Sequence, residues 1–413
     1  MSPKLQAVML LTASLLAACL GNHKSNGIGG TAPPPPVVNT MAVSVDSGPA
    51  AATGQINHAY VTVRVCEPGS TTKCANIDHV QLDTGSTGLR LVQSVLVAAG
   101  VTLSAETDAQ GQTIEECAFF AGGHTWGPVA LADVTMAGEV AAKVPVQILD
   151  DTGTGTAPPA PCATNPPLND VLSLQANGRL GIGVLAQDCA ACVNAATPPR
   201  SNYYYGCTAA GVCTAETIAL TAQVTNPVVM FAVDNNGFIV SLPNPVNANG
   251  DASLQGELTF GISTQTDNAL PATGLTVLGA DANGYFTATY NGGTTALPAL
   301  IDSGADDYSF DDPTIAACTS PVWTGYYCPA VAPQNVFAVN SGVGVNSAVN
   351  TVNFAVAAPD NTFLPNAAAY ANLAGGRGST RFLWGMPFFY GRKIYFGIDQ
   401  KVTGNYTGPF YAY

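Results

Sequence analysis

QLDTGST at residues 81–87 and LIDSGADD at residues 300–307 each place an aspartate, Asp83 and Asp302, after an apolar run and just ahead of a hydroxyl residue and a glycine. Two carboxylates held close on rigid backbone, with water between them, share a single proton, because like charges that near cannot both ionise. The ionised member can take a proton from water while the protonated member hydrogen-bonds the carbonyl under attack. That arrangement hydrolyses a peptide bond with no metal, cofactor or covalent intermediate. Gly85 and Gly304 permit the sharp turn and close backbone approach. Thr84 and Ser303 can hydrogen-bond backbone beneath the turn. Ser86 can donate to ionised Asp83, whereas Ala305 stands at the matching place after Asp302 and offers no donor.

Two other aspartates carry a similar triplet and fail on context. Asp151 follows another acid, Asp150, and runs into GTGTAPPAP. Asp46 is followed closely by Pro49 and has too little chain before it to build a supporting sheet. Both read as turns.

The elements that must hold the pair are strands. YVTVRV at 60–65 alternates Val61, Val63 and Val65 against Tyr60, Thr62 and Arg64, the period of a half-buried strand. VPVQIL at 144–149, GELTFGI at 256–262, YFTATY at 285–290 and KIYFGI at 393–398 read likewise. Helical pattern is confined to short stretches near 90–99 and 365–374. A faint repeat runs through the chain. A strand ending in Asp83 is followed by RLGIGV, and one ending in Asp302 by LWGMPFF, each with a glycine, Gly181 or Gly385, that can cross behind the aspartate. The fold class expected is mostly β, with a cleft between two similar halves spanning 41–235 and 236–413.

A chain of 413 residues has room for two such halves. Charged residues make up only 10% against 47% apolar, which excludes a disordered polyelectrolyte. The net charge of −14 and the lack of a basic run exclude nucleic acid as a partner. No Gly-x-Ser-x-Gly elbow and no phosphate-binding glycine loop ending in Lys occurs.

The ordered set of motifs resembles the pepsin-like aspartic peptidases. Leu180-Gly181 and Trp384-Gly385 are similar to that family's segments behind each aspartate. LWGMPFFYGRKIYFGID at 383–399 is similar to its C-terminal signature, and residues 120–138 resemble its flap hairpin and the strand after it. The chain from about residue 41 also resembles an uncharacterised family of bacterial lipoproteins with this layout. The resemblance implies a bilobed double β-barrel, a catalytic pair Asp83 and Asp302, and a flap bearing Phe120, Gly122 and Gly123. Three positions depart from it. Phe120 stands where the flap tyrosine of pepsins falls, Arg90 where the tryptophan bracing that tyrosine falls, and Ala305 replaces a hydroxyl residue. The flap's polar bracing is therefore expected to be absent. LIDSGADD resembles the version in retroviral aspartic peptidases, whose two following acids hold substrate backbone. Asp306 and Asp307 are thus either substrate contacts or solvated turn acids.

Ahead of this, residues 1–18 read as a secretory signal: Lys4, then an apolar stretch from Ala7 to Ala18 that is too short to span a bilayer. LAAC resembles a bacterial lipobox, with Cys19 the lipidated residue, and 19–40 form a Gly- and Pro-rich tether. Membrane attachment through that lipid, at the outer membrane since Leu20 follows the cysteine, and a monomeric protein are expected. Only Lys24 and His23 carry positive charge in the tether, so no masking pro-segment is expected. The ten remaining cysteines suit a disulfide framework. Cys66–Cys74, Cys117–Cys162, Cys189–Cys192, Cys207–Cys213 and Cys318–Cys328 form one pairing. CAAC at 189–192 is alternatively a redox pair. His58, His79 and His124 lack metal-ligand spacing.

The function expected is an aspartic-type endopeptidase acting on peptide or protein in the bacterial envelope. The alternative is an inactive protein of that fold that binds extended peptides or envelope components. With Ser86 beside Asp83, no hydroxyl beside Asp302 and Asp306 nearby, the optimum is expected on the order of pH 4–6.

Overall fold

The structure is a computed structural model and describes residues 38–194, 202–376 and 380–413. The signal segment, Cys19 and most of the tether lie outside the described residues. From Val37 to Tyr413 the chain forms one compact unit, mostly β as expected.

The first half supplies β1 (Thr40–Val45), β2 (Ala59–Cys66), β3 (Cys74–Asp83), β4 (Thr87–Val92), β5 (Thr113–Phe120), β6 (Gly123–Met136), β7 (Glu139–Leu149) and β8 (Gly178–Ile182). Strands β2, β3, β8, β4, β7 and β6 pair in that order, and β6 pairs back to β2, closing a six-stranded barrel. Closure removes the exposed edges that an open sheet would present. Val61, Val63 and Val65 of β2 point into it and are buried, while Thr62 and Arg64 face water. Tyr60 departs from the alternation. It is buried because its hydroxyl donates to the Gln175 carbonyl at 3.0 Å. Beside the barrel, β5 pairs with β9 (Tyr204–Cys207), and β9 with β10 (Cys213–Ala215).

The second half begins with β11 (Gly237–Leu242), β12 (Leu254–Phe260) and β13 (Val277–Gly279). Then come β14 (Phe286–Tyr290), β15 (Ala296–Ile301), β16 (Tyr308–Ser309), β17 (Gln334–Ser341), β18 (Val349–Val356), β19 (Ala374–Gly375) and β20 (Phe382–Trp384). These seven form a sheet of their own. Strand β21 (Arg392–Gly397) pairs with β11, and β12 pairs with β1, so a layer built from both chain ends joins the barrel to the second half.

The repeat seen in sequence is a repeat of topology. Strand β8 runs parallel to β3 with Gly181 opposite Asp83, and antiparallel to β4. Strand β20 runs parallel to β15 with Trp384 opposite Ile301, and antiparallel to β16. Each glycine sits where a side chain cannot. A Cβ on Gly181 would lie 2.7 Å from the Thr87 nitrogen, and one on Gly385 would lie 2.0 Å from the Asp307 carbonyl oxygen. Both crossings therefore pack backbone on backbone directly behind an aspartate.

Helices are short. One covers Gln93–Ala98, within the first stretch expected. The second expectation, 365–374, is not met. Asn366 has a left-handed φ of 66°. The backbone beyond it is bound to distant partners, with Asn57 N donating to the Ala368 carbonyl at 2.7 Å and Tyr370 N to the Asn57 side chain at 2.7 Å. Tertiary hydrogen bonds win there over an alanine-rich run.

All five disulfides have the expected pairing. Cys189–Cys192 closes a single 3-10 turn with no βαβ unit beside it among the described residues, so the structure supports the framework reading. Cys117–Cys162 anchors β5, the strand leading to the flap tip.

Because no neighbouring backbone can retreat, Gly385→Ala is expected to destabilise the fold by about 1–3 kcal/mol or more in urea melts. Gly122→Ala, at a site with nothing within 4 Å of the new Cβ, should stay within about 0.5 kcal/mol.

Candidate active site

Asp83 ends β3, and Asp302 follows β15 directly. Their loops are locked to each other by reciprocal hydrogen bonds. The Thr84 hydroxyl donates to the Ile301 carbonyl at 2.9 Å and accepts from Ser303 N at 2.9 Å. The Ser303 hydroxyl donates to the Leu82 carbonyl at 2.7 Å and accepts from Thr84 N at 3.0 Å. Each hydroxyl thus grips the residue just before the opposite aspartate. Both side chains are buried, where a hydrogen bond left unmade is costly.

That grip forces the carboxylates together. A Cβ on Gly85 would lie 2.4 Å from Asp302 Oδ1, and one on Gly304 would lie 2.6 Å from Asp83 Oδ1. Each aspartate therefore rests on the other's glycine, and only glycine fits. Asp83 accepts from Gly85 N at 2.9 Å and from the Ser86 hydroxyl at 2.7 Å. Asp302 accepts from Gly304 N at 2.8 Å. Removal from bulk water, with the Asp83 charge alongside, pushes Asp302 up to about 7. The pair is built for one proton, held on the Asp302 side. Among neighbouring acids, Asp83 supplies the negative charge that acts on Asp302. Asp306 instead takes a hydrogen bond from the Tyr326 hydroxyl.

The pair lies on the floor of a cleft of about 780 Å³, within the range of small-molecule and peptide sites. Strands β5 and β6 reach over it as a hairpin with Phe120 opposite Gly123 and Ala121–Gly122 at the tip. Phe120, Ala121 and Gly122 line the cleft, as do Asp306 and Asp307. Asp307 is buried, so it is not a solvated turn acid. Gly123 directly follows the tip, where a Cβ would meet the Pro166 carbonyl at 2.2 Å.

Arg90 is not a cleft residue. It is 2% exposed and bound to Glu116 at 2.5 Å, Asp188 at 3.2 Å and the Thr87 carbonyl at 2.7 Å. Tyr204 donates to the same Asp188 at 2.7 Å. The absent polar bracing is thus corrected to an ionic one. Glu116 belongs to the flap strand β5, and Arg90 fastens it to β4 beside the dyad loop. A buried guanidinium needs such partners, since an uncompensated one costs several kcal/mol.

Several cleft residues were missed by sequence reasoning. Arg179 of β8 places Nη1 3.4 Å from Asp83 Oδ2, and its guanidinium lies 4.3 Å from the centre of the Phe120 ring. His58 is buried at the cleft wall and pushed down to about 4 by burial, so it is neutral in the physiological range. Gln81, Gln175, Tyr285 and Arg381 also line the walls. Arg179 did leave a signal. It alternates with Gly181 on the strand that runs beside Asp83, and a charge there must find a counter-charge.

The discarded aspartates lie outside the pair. Asp46 accepts from Gly48 N at 2.9 Å in a local turn, whereas the expected turn at Asp151 is made by Asp150, and Asp151 accepts from Ser94 N at 2.9 Å at the start of the helix Gln93–Ala98.

With this geometry in view, the class is set by shape: a mostly β, pepsin-like fold. The chain is similar to the aspartic proteinase from Irpex lacteus, with a TM-score of 0.50 over 90% of this chain and 96% of that one, at 14% identity. Identity that low speaks for the fold alone. The chain belongs to the family described as Protein of unknown function (DUF3443), which matches residues 35–413. No curated protein matches it.

Several buried acids share the behaviour of Asp302. Burial, with Asp150 adding, pushes Glu115 up to about 8, and burial, with Asp234 adding, pushes Glu139 up to about 7. A carboxyl raised above its unfolded value favours the native state while protonated. That favour is complete below the unfolded value, roughly 4, and lost as pH rises through the folded one. The melting temperature should therefore fall between pH 5 and pH 8.5, and Asp302→Asn or Glu115→Gln should each flatten the decline. A melting temperature that climbs over this range would contradict the assignment.

Proposed function

We propose that the protein is an aspartic-type endopeptidase in which Asp83 and Asp302 activate water against a peptide bond. The observation that carries this reading is the mutual fit of the two loops. Each aspartate rests on the other's glycine under reciprocal Thr84 and Ser303 hydrogen bonds. A pure binding surface has no need of two acids forced to share a proton.

In the reaction, ionised Asp83 accepts a proton from water as the oxygen bonds to the scissile carbonyl carbon. Protonated Asp302 donates to the carbonyl oxygen. Collapse of the tetrahedral species breaks the C–N bond, the proton taken up by Asp83 passes to the departing amine, and the proton on the former carbonyl oxygen returns to Asp302 as the new C=O forms. Phe120, Ala121 and Gly122 at the hairpin tip would cover an extended chain lying in the cleft, and Asp306 and Asp307 stand where its backbone would run. The reading of Cys19 as a lipid anchor places this activity at the bacterial envelope, probed by metabolic labelling with a tagged fatty acid.

One observation favours a second reading, a non-catalytic peptide binder of the same fold. The Arg179 guanidinium lies 3.4 Å from Asp83 Oδ2, a counter-charge that a water-activating carboxylate does not require. Digestion of a denatured protein across pH 2–8, with cleavage sites read by mass spectrometry, separates the two. Peptidase activity should be lost by at least about 10³-fold in both Asp83→Asn and Asp302→Asn. It should also fall as pH passes about 7, where Asp302 gives up its proton. Saturable peptide binding with no cleavage at any pH would support the binder.

A further inference from the structure

Asp83 and Asp302 are related by the chain's internal repeat, yet their surroundings are unequal. Asp83 accepts from two donors, Gly85 N and the Ser86 hydroxyl, and has Arg179 Nη1 3.4 Å away as an ion-pair partner. Asp302 has the Gly304 amide and no hydroxyl at position 305. Arg179 differs in kind from the other donors because it brings a full charge, which reaches Asp302 as well but acts first on Asp83, the acid its Nη1 pairs with.

We propose that Arg179 is a positioning residue that assigns the negative charge of the pair to Asp83, leaving the shared proton on Asp302. The inference rests on the reading of this cleft as a carboxylate pair that activates water.

Three features of the structure carry it. First, the Arg179 side chain is only 12% exposed, so its charge needs a counter-ion within the protein. The neighbouring buried guanidinium, Arg90, is already met by Glu116 and Asp188, and the acid bound to Arg179 is Asp83, itself 5% exposed. Second, Arg179 cannot swing away cheaply. The Phe120 ring lies 4.3 Å from its guanidinium, a cation–π contact worth about 0.5–2 kcal/mol where water is excluded. This explains an aromatic without a hydroxyl at the flap position. Third, the other groups facing the pair do not undo the bias. His58 is neutral, Arg90 is compensated, and Asp306 holds the Tyr326 hydroxyl. Tyr411 lies near Asp302, and burial holds its hydroxyl protonated.

The consequence is a division of labour set by one strand. Parallel pairing of β8 with β3 puts Arg179 opposite Gln81 and Gly181 opposite Asp83. The same strand that packs behind the Asp83 loop thus delivers its counter-charge. Asp83 is the resident base and Asp302 the resident acid. The guanidinium favours the one-proton form of the pair with its charge on Asp83.

The test compares the full chain with Arg179→Gln and Arg179→Lys. The first readout is the pH dependence of kcat/KM on a denatured protein. Loss of the charge should move the acid limb of Arg179→Gln upward by about 1–3 pH units, the scale of an Asp–Arg neighbour effect. Arg179→Lys, which keeps a cation, should recover much of the wild-type limb. A rate lowered equally at every pH, with unmoved limbs, would overturn the proposal. The second readout needs no activity. The 13C carboxyl resonance of Asp83, identified by its loss in Asp83→Asn, should titrate at lower pH than that of Asp302 in the wild type and move up in Arg179→Gln. If nothing is cleaved but the resonance behaves so, the charge assignment stands and the peptidase reading falls. If Asp302 proves to be the member that ionises first in the wild type, the proposal fails even where Arg179→Gln does not fold.

Discussion

Two hydroxyls hold the molecule's chemistry in place. Thr84 and Ser303 stand more than two hundred residues apart in the chain. Each donates to the carbonyl preceding the other's aspartate and receives the other's amide. This geometry closes only if the ends of β3 and β15 meet head to head. Everything else serves that meeting. The barrel stiffens β3, the seven-stranded sheet stiffens β15, and Gly181 and Gly385 let a crossing strand fill the space behind each loop. The carboxylates are the cost of the arrangement as well as its product. They are driven into contact, and one keeps its proton.

The rest of the cleft follows from managing charge with little water. The chain has 13 basic residues against 27 acidic ones, yet two arginines converge beneath one phenylalanine. Arg90 joins flap strand to dyad loop through Glu116, and Arg179 answers Asp83. Phe120 covers both guanidiniums. Where pepsins place hydroxyl and indole groups, an aromatic lid on buried ion pairs does the bracing here. Buried acids without such partners stay protonated instead, which makes the fold one that favours acid.

Much of this was legible in the sequence, for physical reasons. Asp83 and Asp302 stood out because apolar runs, hydroxyl and glycine each answer a separate demand of the turn. Asp46 and Asp151 fail on what surrounds the triplet, a proline and little preceding chain for the one, a second acid and a loop for the other. The strands were legible by alternation, and four of the five cysteine pairs by proximity in sequence, Cys117–Cys162 being left as the remainder. What was not legible depends on partners distant in sequence. Arg90 read as a missing brace because its acids, Glu116 and Asp188, are joined to it only by the β5 and β9 neighbourhood. Arg179 was one letter in an apolar strand until the register placed it beside Asp83. The alanine-rich stretch 365–374 looked helical because its competing partners, Asn57 and Asp251, lie far upstream.

The central claim is a shared proton, and infrared spectroscopy of the full chain reads it directly. Between pH 4 and pH 9, subtraction of the Asp302→Asn spectrum should reveal one carboxylic acid band that persists to about pH 7 and then converts to carboxylate. The same band should titrate at lower pH in Asp83→Asn, once the neighbouring charge is gone. A wild-type protein in which Asp302 is already ionised at pH 5 would contradict the claim, whatever the fold resembles.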